Sequence, residues 1–304
     1  MYSKFKKFII HANDIDMNVL KGGSGPPLLL LHGNPQTYVM WHKVVDELAE
    51  YFTVVATDLR GYGDSSKPEG LPNHSNYSKR VMAQDQLEVM MQLGFESFYL
   101  VGHDRGARVA YRLALDHPER VKKLVLLDIV PTVVMYERTN MEFSHSLFHW
   151  FFLTQKKPFP ENMISSNPEC YLENALHISR YNSDADSPRE SYDPIAYSEY
   201  LRCFKDPHTI HGICEDYRAG ASIDLIHDRD DLQANRKIEC DLLVIWGANG
   251  LVEKFFRPLD EWNKFAKQVE GRALPCGHFI PEEAPELLLE ELYSFFKVTE
   301  LSQY

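Results

Sequence analysis

Short apolar runs alternate with amphipathic stretches along most of this chain. Phe5 to Ile10 and Ile15 to Leu20, joined across Asn13-Asp14, predict a hairpin. Leu28 to Leu31 is four leucines in a row, apolar on both faces, as a central parallel strand must be. Trp41 to Ala49 predicts a helix, Thr53 to Thr57 a strand, Tyr77 to Leu93 a helix and Phe98 to Val101 a strand. Ala107 to Leu115 predicts a further helix and Val121 to Leu127 a strand. From Thr132 to about Ile226 the alternation stops. Aromatic-rich helical patches such as Phe148 to Phe152 are interleaved there with Pro- and Ser-rich loops such as Ser183 to Pro194. Strands resume at Asp241 to Gly247 and Gly271 to Leu274, and a helix from Pro285 to Phe296 closes the pattern. The expectation is an α/β fold, a mostly parallel central sheet flanked by helices, with an inserted helical cap. The core domain is expected over 1–132 and 227–304 and the cap over 133–226.

Composition narrows the possibilities. At 304 residues and 44% hydrophobic the chain can bury a large core. A net charge of −12 makes nucleic acid and anionic membrane surfaces poor partners, and obliges any anionic substrate to find a local cationic site. Five cysteines without CxxC spacing read as reduced thiols of a cytoplasmic protein. No apolar run approaches membrane-spanning length.

The chemistry concentrates at Gly102-His103-Asp104-Arg105-Gly106, between the strand ending at Val101 and the helix starting at Ala107. Gly-x-nucleophile-x-Gly in that position is the sharp turn called a nucleophile elbow. Its central residue is Asp104, and an aspartate nucleophile attacks carbon and leaves an alkyl ester on the enzyme. That points to carbon–halogen or epoxide opening. The triad order of such a turn is nucleophile, acid, histidine, which gives Asp104, Asp128 and His278. Glu253, after the strand ending at Gly247, is the fallback acid. The loop His32 to Gln36 would supply one oxyanion N–H, from Asn34, and Arg105 the other. Arg105 and Arg108 stand three apart at a helix start and so share a face, where two guanidiniums can hold a carboxylate. His32 and His103 are expected to be structural, and no metal-ligand spacing occurs.

These motifs resemble the α/β-hydrolase superfamily throughout, and within it the fluoroacetate dehalogenases. The match is carried by His32-Gly33-x-Pro35-Gln36, Asp58 to Gly63, Gly102 to Arg108, Leu127-Asp128-Ile129-x-Pro131-Thr132, His149-Trp150, Asp216 to Gly220 and Gly277-His278-Phe279. The resemblance implies a cofactor-free haloacetate dehalogenase, cytoplasmic and homodimeric, acting on a small anionic haloacid. It further implies that His149, Trp150 and Tyr217 receive the departing halide, each offering one donor. Asn34 departs from the pattern, since fluoroacetate-type relatives commonly carry Phe there and haloalkane dehalogenases Asn. An epoxide hydrolase using the same triad, with Tyr217 and Tyr136 as acids, is the alternative reading. A non-catalytic ligand receptor on the same fold is a further one.

Overall fold

The structure, a computed structural model, describes residues 2–178 and 192–298. Eight strands form one sheet: β1 Lys6–Ala12, β2 Ile15–Gly22, β3 Pro27–Leu31, β4 Thr53–Thr57, β5 Phe98–His103, β6 Val121–Leu127, β7 Asp241–Gly247 and β8 Val269–Leu274. Their order is β1-β2-β4-β3-β5-β6-β7-β8. The pairs β1/β2 and β2/β4 are antiparallel and every later pair is parallel. Leu28 to Leu31 and Leu124 to Leu127 are fully enclosed, as strands covered on both faces require.

Chain order places the site. From β3 the chain moves outward to β4, then returns across β3 to build β5. The loops after β3 and β5 therefore diverge, and the crevice between them is where open α/β sheets bind ligands. Asn34 lies on one of these loops and Asp104 on the other.

The predicted strands are found, several longer than expected: the hairpin strands reach Ala12 and Gly22, and β8 starts at Val269 rather than Gly271. The helix expected from Tyr77 starts at Lys79, after a 3-10 turn over Ser75–Tyr77, because Ser78 caps it by accepting from the Val81 N–H. Between β6 and β7 every described element is a helix, from Thr132–Glu137 to Ile223–Gln233. Position 227, expected to begin the returning core, lies inside that last helix. The loop expected at Ser183 to Pro194 falls largely outside the described residues, and Pro194 itself opens a helix that runs to Phe204.

Candidate active site

The turn after β5 is as tight as its glycines imply. A Cβ on Gly102 would lie 2.6 Å from the Ala107 Cα, and one on Gly106 would lie 2.4 Å from the His32 carbonyl oxygen. Asp104, between them, has φ 47° and ψ −114°. A non-glycine residue held there stores about 1–3 kcal/mol of backbone strain, which the packing around the turn sustains. The strain puts the Asp104 carboxylate where β3's loop can reach it, and the Asn34 N–H donates to its Oδ1 at 2.9 Å. Burial pushes the Asp104 carboxyl up, but the basic groups around it, His278 first and then His103, Arg105 and Arg108, outweigh burial and hold it below the usual carboxylate value.

His278 follows β8, and its Nε2 is 3.8 Å from Asp104 Oδ2. That is too long for a hydrogen bond. Its Nδ1–H donates to Asp128 Oδ2 at 2.6 Å. The tautomer so fixed leaves the Nε2 lone pair facing Asp104. Asp128 sits at the end of β6 with φ 53°, and its other oxygen accepts from the Gly247 N–H at 2.9 Å. Burial lowers the His278 imidazole's proton affinity. The Asp128 hydrogen bond and charge, with a smaller contribution from Asp104, reverse that and raise it above the ordinary histidine value. Glu253 is elsewhere, accepting from the indole N–H of Trp246. Asp128 is the carboxylate on His278.

The other two predicted histidines hold backbone. His32 Nε2 accepts from the Leu59 N–H at 3.0 Å. His103 lies 2.8 Å from the His278 carbonyl oxygen and fixes that loop from below.

The arginines part company. Arg105 grips Asp216 on the helix Pro207–Gly220, with Nε–Oδ2 at 2.7 Å and Nη2–Oδ1 at 2.9 Å. Its Nη2 also donates to the Asp216 carbonyl, and only Nη1 is left buried without a partner. Arg108 donates from Nη1 to two uncharged oxygens, Val130 O at 3.1 Å and Thr132 Oγ1 at 3.0 Å, and its Nε is unpartnered. Arg108 lines the main cavity with Asp104, His149, Trp150 and His278.

Side chains from the helices between β6 and β7 line the site. The rings of His149 and Tyr217 are 6.0 Å apart, and those of Trp150 and Tyr217 are 5.7 Å apart and perpendicular. So the three halide candidates converge above Asp104. Trp150 also packs against both guanidiniums, with Arg108 4.7 Å from its ring and Arg105 5.6 Å. Burial pushes the His149 imidazole down to about 4, so it is a neutral donor at ordinary pH. The Asn34 side-chain amide stands 3.5 Å from the Tyr217 hydroxyl, in a second cavity that also touches Asp104 and His278. Tyr136 packs against Trp150 with the rings tilted by 60°, and lines neither cavity.

Two features escaped the sequence. One is the work of Asp216, whose carboxylate also accepts from Tyr62 Oη at 2.7 Å and from Lys79. It was legible only as part of a motif, since its partners are 111, 154 and 137 positions away. The other is the cavity's apolar flank, Met135, Leu147, Leu251, Val252 and Phe256, drawn from three separate segments. Among the described residues no cluster of His, Cys, Asp and Glu could hold a metal ion, and no helix is long and apolar enough to cross a membrane.

Comparison with known proteins agrees with this geometry. The chain is 43% identical to a fluoroacetate dehalogenase of Burkholderia sp over 94% of its length and 92% of that protein's. It is 34% identical to a soluble epoxide hydrolase of Corynebacterium sp. (strain C12), over 93% of this chain and 94% of that one. A crystal structure from Nostoc sp PCC 7120, described as an alpha/beta hydrolase, superposes with a TM-score of 0.93 at 54% identity, covering 97% and 99% of the two chains. The family model for the alpha/beta hydrolase fold matches residues 26–285. With its strand order and its strained turn after β5, this chain belongs to the alpha/beta-hydrolase family and is a hydrolase.

Proposed function

We propose that the protein hydrolyses the carbon–halogen bond of haloacetate and related 2-haloacids, giving halide and a 2-hydroxy acid. The observation that carries this reading is Arg108: a buried guanidinium on the cavity wall beside the nucleophile, bonded only to neutral oxygens. A buried cation that hydrogen-bonds only neutral oxygens is poorly compensated, and a substrate carboxylate can bond it directly.

The steps follow from the atoms. Asp104 Oδ1 is tied to the Asn34 N–H, which leaves Oδ2 to attack the halogen-bearing carbon. The new C–O bond forms as the C–halogen bond breaks, and the electron pair leaves with the halide. Donors from His149, Trp150 and Tyr217 receive it, each such donor being worth roughly 3–4 kcal/mol in a dry site. His278, held by Asp128, then takes a proton from a water that attacks the Asp104 ester carbonyl. The oxyanion develops on the oxygen that already faces the Asn34 N–H, with the Arg105 N–H as the second donor. Collapse frees the 2-hydroxy acid and restores Asp104. No step calls for a metal or an organic cofactor. In this reading residues 133–226 act as the cap, and the protein works in the cytoplasm as a homodimer.

The epoxide alternative draws support from the Corynebacterium relative and from Tyr217. Of its two candidate acids, Tyr217 lines a cavity with Asp104 and Tyr136 lines neither. Halide release from fluoroacetate and chloroacetate, with Asp104→Asn as control, decides between them. Release that vanishes in Asp104→Asn supports the haloacid reading. Absence of both ions, with turnover of a neutral epoxide, overturns it.

A further inference from the structure

The cavity beside Asp104 has a volume of about 90 Å3 and opens to solvent. Beside Asp104, Arg108, His278 and the other polar residues of its wall, which include Asp128 and Asn249, it has an apolar lining. That flank is Met135, Leu147, Leu251, Val252 and Phe256. Four of these five are nearly closed to solvent, at 4% for Met135, 8% for Leu147, 6% for Val252 and 4% for Phe256. The flank is backed by further core, since Phe143 packs edge-on against Phe256 at 6.0 Å. It contains no charge. The one carboxylate of its 251–256 segment, Glu253, is occupied with Trp246. An acetyl skeleton held between Arg108 and Asp104 has no carbon beyond the reacting one to place against such a wall.

We infer that this flank is a subsite for an apolar substituent on the substrate's α-carbon, so that the acids best recognised are 2-haloalkanoates longer than haloacetate. The inference rests on the haloacid reading above for its carboxylate anchor. It follows from the two kinds of lining: Arg108 fixes the carboxylate, and the hydrophobic effect draws an alkyl chain onto the apolar side chains. A polar or charged substituent would be desolvated there without a partner and is disfavoured.

Halogen-free acids separate recognition from the slower displacement chemistry of a substituted carbon. Calorimetric titration of the whole protein with acetate, propionate and butyrate should show Kd falling about fourfold per added methylene, the ratio equivalent to ~0.8 kcal/mol per buried CH2. In Val252→Phe, which fills the flank, the acetate-to-butyrate ratio of Kd should collapse toward one. Butyrate binding no tighter than acetate, in protein that still releases halide from chloroacetate, overturns the subsite and leaves the haloacid reading standing. Tighter binding of the longer acids by protein that releases no halide from any haloacid supports the subsite and overturns the reading it was built on. A fourfold series that survives Val252→Phe unchanged also overturns the subsite, because the gain then comes from elsewhere.

Discussion

Arg105 and Arg108 are the same residue, one helical turn apart, both buried, both against Trp150. Their surroundings differ completely. Arg105 is neutralised by Asp216, and the Tyr217 ring lies 4.1 Å from its guanidinium. Burial works against its charge, but the Asp216 carboxylate more than compensates and binds its proton tighter than in an ordinary arginine. Arg108 has no carboxylate in its hydrogen-bond set. Burial and the neighbouring Arg105 charge together lower its proton affinity. The difference teaches which cation is left without a carboxylate bonded to it. The paired one is a fixed part of the wall that offers a single free amino group, and the unpaired one is where an incoming anion gains most.

Asp216→Asn should break this contrast with the largest effect. It removes the charge that holds both Arg105 and Lys79 in a closed interior. Loss of one partner of a buried pair costs about 3–5 kcal/mol, readable as a shift of the urea midpoint at unchanged slope. The sign with pH is fixed. Asp216 is held well below the usual carboxylate range, with burial opposing and Arg105 and Lys79 prevailing. Its stabilisation is therefore present above the unfolded carboxylate value and is lost only as pH falls through the depressed folded one. The difference between wild type and Asp216→Asn should stay constant from about pH 6 to 8 and shrink in strong acid.

Arg108→Gln should be smaller in stability and larger in selectivity. Haloacid kcat/KM should fall about a hundredfold, equivalent to roughly 3 kcal/mol for an unpaired carboxylate, whereas a neutral haloamide or epoxide loses little. Equal losses on both substrates would mean that Arg108 serves the fold rather than the anion.

Titration sharpens the contrast from the nucleophile's side. His278 must be neutral to activate water, so the hydrolytic step should lose about tenfold per pH unit below its pKa. In the free protein that pKa is raised by Asp128 and, to a lesser degree, by Asp104. The ester intermediate has no Asp104 charge. The acid limb of kcat should therefore lie below the His278 titration followed by NMR in the unreacted protein.

Thr132→Val should have the smallest effect. It deletes one neutral acceptor of Arg108 and a partner of the Tyr111 hydroxyl. About 1 kcal/mol, or roughly fivefold in haloacid KM, is expected. A hundredfold loss would show that Arg108 is held by Thr132 as firmly as Arg105 is by Asp216.

Much of the site could be read from local chemistry. Gly102 and Gly106 around Asp104 announced the turn, because their spacing is demanded by a backbone crossing that tolerates no Cβ. Asp128 was readable as the acid because it ends a strand next to the nucleophile's, and Glu253 as the weaker candidate because a helix carries it. The helical spacing of Arg105 and Arg108 was readable too, but not their unequal pairing. Asp216 is brought to Arg105 by a helix from the far end of the insertion, and no local pattern records that meeting. The same holds for Met135, Leu147 and Phe256, which read as ordinary core residues wherever they occur alone.

The sequence by itself determined the strand runs, the elbow and the residues proposed as nucleophile, acid and base. These depend on backbone sterics, burial on both faces and side-chain chemistry, all of which act within a few residues. Only the tertiary structure decided which arginine is neutralised and which apolar side chains line the cavity. Those outcomes depend on distances between residues far apart in the chain, and the energy of a buried charge is set by what stands within a few ångströms of it.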